Sequence, residues 1–118
     1  MKNIFFIILV LIITSCKSKM DNKIKKGYFD GCKKATVEEL VNNFISNPKW
    51  ESFVSPDDNK YHLNVSGQIQ YEEKPAKALI QFEELENEGW QINAFEINGE
   101  SQEDEVIIEL VSEMCNAK

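Results

Sequence analysis

Few side chains in this chain can do chemistry: one histidine, three cysteines and a large excess of carboxylates in the second half. His62 is the only imidazole. General-base work needs a nucleophile and an orienting carboxylate gathered around the ring, and no Ser, Cys or Asp arrangement in the sequence supplies that set. His62 therefore reads as a surface histidine, and the chain as a non-enzyme without a cofactor. A metal site from His62, Cys32 and Cys115 lacks clustered ligand spacing, so no metal is expected. Asp57-Asp58-Asn59 opens like a calcium loop, but the sixth position is not glycine and the twelfth is not glutamate, so it reads as a turn. The glutamate-rich run from Glu83 to Glu113 reads as a solvated face.

Cys16 stands apart from the other two cysteines because of what precedes it. Lys2 is followed by ten unbroken apolar residues, Ile4 to Ile13, then Thr14-Ser15-Cys16. A positive start, a short apolar core and small residues are the parts of a secretory signal. As a helix the run spans about 15 Å, half of a ~30 Å hydrocarbon core, which is too short for a stable span. Ile13-Thr14-Ser15-Cys16 resembles the lipobox of bacterial lipoproteins. The resemblance implies removal of residues 1–15 as a signal peptide, lipidation of Cys16 and attachment to a membrane of the cell envelope. In lipoproteins of the Bacteroides type, acidic residues after the cysteine resemble a surface-export signal. Here Lys17-Ser18-Lys19 follow, which leans toward a periplasm-facing membrane.

Charge divides the remainder. Residues 16–34 carry seven lysines against Asp21 and Asp30, whereas residues 35–118 carry five lysines against eighteen acids, and the chain has no arginine. Phosphate would be repelled by such a surface, which excludes nucleic acid as a partner. The Lys-rich segment 16–34 lacks apolar periodicity and reads as an unfolded tether able to lie on anionic headgroups. Residues 35–118 then form a single domain.

Within that domain, Thr36-Val37-Glu38-Glu39 is a capping box, and Val37, Leu40, Val41, Phe44 and Ile45 follow as one apolar stripe, predicting a helix over 37–46. Asn47-Pro48 ends it. Lys49 to Val54 reads as a strand, and Tyr61 to Tyr71 alternates between a dry and a wet face, with Gly67 marking a bend or bulge. Ala76 to Glu83 and the segment from Trp90 give two more strands. Phe95 and Ile97 sit on the opposite parity from Trp90 and Ile92, so either a bulge re-aims them or they are exposed. Ser101 is the expected N-cap of a second helix over 102–115, striped by Val106, Ile107, Leu110, Val111 and Met114. The fold class is α+β: a four-stranded antiparallel meander with both amphipathic helices on one face, α-β-β-β-β-α. Four strands between the helices bring Cys32 and Cys115 to adjacent ends. They are expected to pair as a disulfide, which export permits, with two inert thiols as the alternative.

Gly27-Tyr28, Thr36-Val37, Asn47-Pro48-Lys49-Trp50-Glu51-Ser52-Phe53, Ala78-Leu79-Ile80-Gln81-Phe82 and Ile97-Asn98-Gly99 together resemble small domains of bacterial envelope and secreted proteins. These motifs are core and turn residues, and the resemblance carries no biochemical activity with it. The wet sheet face, with His62, Gln68, Leu79, Gln81, Asn93 and Phe95 as its partner-binding residues, is the expected docking surface. The function class is a lipid-anchored, non-catalytic binding module engaging a protein of the cell envelope. An inhibitor of an exported enzyme is one version, by analogy of architecture with helix-plus-sheet β-lactamase inhibitors. The alternative is a structural or assembly lipoprotein.

Overall fold

The computed structural model describes residues 19–117. The apolar run, the lipobox-like residues and the lipidation reading at Cys16 lie outside the described residues. Among the described residues no helix is long and apolar enough to cross a membrane.

The architecture is α+β. Helical residues 19–25 (α1) are followed by α2 (Val37–Phe44), β1 (Ser46–Val54), β2 (Tyr61–Tyr71), β3 (Lys74–Glu84), β4 (Trp90–Ile97), β5 (Glu100–Ser101) and α3 (Asp104–Asn116). The strands form one antiparallel sheet in chain order, a meander. The four strands expected are present, with β5 and α1 added to the expected α-β-β-β-β-α order.

The fifth strand follows from Asn98-Gly99. Both residues have positive φ, 53° and 83°, and form a two-residue turn whose twist matches a hairpin. Ile97 then pairs with Glu100, and Glu96 with Ser101. Ser101 is thereby spent in the sheet. Glu103 takes the N-cap of α3 and makes no side-chain cap bond. The capping box of α2 forms as read: Thr36 Oγ1 accepts from the Glu39 N–H at 3.3 Å, and Glu39 Oε1 accepts from the Thr36 N–H at 3.1 Å. That helix stops at Phe44, earlier than 46, because Ile45 is already extended and leads straight into β1.

Segment 19–34 is not an unfolded tether. Ile24, Phe29 and Cys32 are buried in the main core, and the ring of Phe29 lies 6.4 Å from that of Phe82 and 6.2 Å from that of Trp90. Lys25 Nζ sits 5.0 Å over the Trp50 ring, a cation–π contact. Met20 and Ile24 stand four residues apart, one face of a helical turn, while Lys23 and Lys26 stay exposed. In the sequence, the surrounding lysines mask those two positions. A disulfide between Cys32 and Cys115, 6.1 Å apart at Cα and 83 residues apart in sequence, ties this segment to α3. In the loop-entropy picture, closure over such a length contributes about 4–5 kcal/mol.

The dry face of the sheet, with Leu63, Val65, Ile69, Ala78, Ile80, Phe82 and Phe95, shares one core with Val37, Leu40, Val41, Leu110 and Met114 of α2 and α3. Gly67 is required on that face. A Cβ there would strike Ile45 Cγ2 and come within 2.6 Å of the Ser46 carbonyl, where Asn47 and Pro48 interrupt the β1–β2 register.

Candidate functional site

Among the described residues, all three helices supply side chains to the core on one face of the sheet, and no helix covers the opposite face across β1 to β4. Strand register assigns its residues. Phe53 pairs with His62 and His62 with Glu83; Glu51 pairs with Asn64 and Asn64 with Gln81; Lys49 pairs with Ser66, Ser66 with Leu79 and Leu79 with Glu96. Of the residues expected to bind a partner, Gln68 and Asn93 are exposed on this face, and Leu79 and Gln81 are half-buried there. Asn93 Nδ2 donates to Gln81 Oε1 at 2.7 Å, joining β4 to β3. Near Leu79 the sheet forms a groove of about 580 Å³ whose lining includes Ser66, Gln68, Lys77, Leu79 and Glu96.

Phe95 is not on that face. Gln81 pairs with Ala94 but Phe82 pairs with Ile92, so Asn93 is an extra residue in β4. Such a bulge shifts the alternation by one and turns the following side chains to the other face. Phe95 lies opposite Ile80 on the dry side and is 0% exposed. The aromatic residue on the open face is Phe53, which sequence reading did not single out. Its signal was the parity of β1: Trp50 packs against the core, so Phe53, three residues on, faces the opposite side.

His62 is on the open face as expected, but it is not a surface residue: it is 5% exposed. Phe53 stacks on its ring at 5.2 Å between centroids and 11° between planes, and the 55–60 loop brings Asp58 to it. That loop is built by short-range bonds. Asn59 N–H donates to the Ser55 carbonyl at 2.8 Å, and Asn59 takes φ 58°. Lys60 N–H donates to Asp58 Oδ1 at 2.9 Å. Asp58 Oδ2 thereby faces His62 Nε2 at 3.6 Å, while Lys60 Nζ reaches Glu83 Oε1 at 3.6 Å. The Lys60 N–H foremost, with His62 and the Lys60 charge adding, holds the Asp58 carboxyl below its ordinary range. The turn Asp57-Asp58-Asn59 is therefore a turn, as read, and it presents one carboxylate to the imidazole.

The covered side carries a second concavity. Between α3 and β4 lies a groove of about 520 Å³ whose lining includes Phe29, Trp90, Ile92, Ile107, Ile108 and Val111. Ile108, outside the expected stripe of α3, is 68% exposed beside it. The acidic helical face thus contains apolar side chains that its charge count did not suggest.

Comparison of the chain with protein-family models, with curated proteins and with solved structures finds no match.

Proposed function

We propose that this protein is a lipid-anchored, non-catalytic binding module of the cell envelope that engages a protein partner through the open face of its sheet. The observation that carries this reading is the one-sided placement of the helices, which leaves Phe53, Leu79, Gln81, Asn93 and Gln68 on an uncovered surface. Open faces of antiparallel sheets are commonly just solvated. This one carries the Phe53 ring on β1 and, apart from it, Leu79 in the groove that Gln68 also lines, and aromatic anchors set among polar contacts carry much of an interface's energy. The acidic surface without arginine disfavours nucleic acid.

The anchor rests on Ile13-Thr14-Ser15-Cys16 after a short apolar run. Its test is the mass of the mature N-terminus. Wild type should carry lipid on Cys16, and Cys16→Ala should accumulate as the unprocessed precursor; a wild-type chain with a free N-terminus and no lipid mass would sink the anchor. A periplasm-facing membrane is the proposed location, on the lysines that follow Cys16. A structural or assembly role in the envelope is the alternative within the same anchoring.

One observation favours a second docking surface. The groove between α3 and β4 places the exposed Ile108 next to the half-buried Trp90 and Ile92, and tryptophan is enriched among residues that carry binding energy. A partner seated there would contact the acidic helix, the disulfide segment and the β4 edge instead of the open sheet face.

A further inference from the structure

We propose that His62, Asp58 and Glu83 form a binding site for a divalent transition-metal ion of the Zn²⁺ class. Independently of the docking reading, it rests on three observations. One nitrogen of His62 and one carboxylate oxygen from each of Asp58 and Glu83 all lie within 4.8 Å of one another. His62 is 5% exposed, and among the described residues neither of its ring nitrogens finds a hydrogen-bond partner, Asp58 Oδ2 at 3.6 Å from Nε2 being too distant for one. Buried polar atoms are overwhelmingly bonded, and one that is not calls for an explanation such as an ion. Third, the groups are held from three separate places: β2 carries the imidazole under the Phe53 ring, β3 carries Glu83, and the 55–60 loop aims Asp58 Oδ2 by bonding its other oxygen to the Lys60 N–H.

The donor set selects the class of ion. One imidazole with two carboxylates suits zinc and its neighbours, whereas calcium and magnesium take oxygen ligands in larger number. Zinc holds nitrogen and oxygen ligands at about 2.0–2.2 Å, so the three atoms close on an ion by each moving inward by about 1 Å. Asp58 sits on an exposed loop, which lets it make that move. Three protein ligands leave a fourth position for water or for a donor atom from a partner. Lys60 is the competing cation, since its ammonium now pairs with Glu83.

Calorimetric titration of ZnCl₂ into the full chain in detergent, wild type beside His62→Gln, Glu83→Gln and Lys60→Met, tests the site. Wild type should bind one ion per chain, with the imidazole resonances of its only histidine shifting at stoichiometric Zn²⁺. Loss of an outer partner of a metal ligand already costs about 10–100-fold in affinity, so His62→Gln and Glu83→Gln should each weaken binding by at least that much. Lys60→Met should bind as tightly as wild type or tighter. Cys16 is common to all four chains and drops out of the comparison. Undiminished affinity in His62→Gln, weaker binding in Lys60→Met, or wild-type imidazole resonances unmoved by Zn²⁺ would each overturn the site. The last readout holds even if a variant fails to fold.

Discussion

Phe95 shows how one extra residue decides what a side chain is for. Its parity conflicts with Trp90 and Ile92, and that conflict was visible in the sequence; the position of the bulge at Asn93 was not, because it depends on which residue of β3 each residue of β4 opposes. Buried at 0% exposure, Phe95 is a core residue. Phe95→Ala should lower unfolding free energy by about 3–5 kcal/mol, as for other buried phenylalanines, measured by urea denaturation; a loss below about 1 kcal/mol would return Phe95 to the surface. His62 was assigned to the correct face yet to the wrong environment, since its burial comes from Phe53 and a loop whose fold alternation does not encode. At the capping box the sequence was fully legible, because the pattern is local. The Thr36 backbone N–H, then its hydroxyl, hold the Glu39 carboxyl below its ordinary value. A carboxyl depressed on folding contributes stability above its unfolded pKa and loses it as pH falls through the folded one. The stability gap between wild type and Glu39→Gln should therefore be full at neutral pH and close as pH drops below the ordinary glutamate range. A gap that widens in acid would contradict the cap.

At the scale of elements, periodicity found α2, α3 and the four long strands, because each must bury one stripe or one face. It missed β5, whose two residues are too few to alternate, although the Asn-Gly turn that creates it is the strongest short hairpin signal. The β2–β3 turn makes the same demand with poorer residues. Tyr71 pairs with Lys74, leaving Glu72 and Glu73 at φ 52° and 66°. Positive φ costs an L-residue about 1–2 kcal/mol, and the two carboxylates are adjacent. Glu73→Gly should therefore stabilise the protein by about 1 kcal/mol after its greater unfolded-state entropy is offset, seen as a rise in Tm. A fall in Tm would show that Glu73 has a native interaction the turn requires.

The whole molecule is larger than its legible domain. The composition of 16–34 suggested solvated chain, yet Ile24 and Phe29 complete the core and Cys32 bonds to α3; two apolar positions and a cysteine outweigh the lysines once a hydrophobic surface is there to receive them. With three helical segments contributing to one side, the opposite sheet face is the broad surface available to a partner, and the α3–β4 groove is its rival. A photo-reactive amino acid placed at Leu79 on the open face, or at Ile108 beside the groove, distinguishes them in the native envelope. Docking through the open sheet face predicts a discrete, reproducible crosslinked species from Leu79 and none from Ile108; the same species from Ile108 alone, or none from either position, would contradict it.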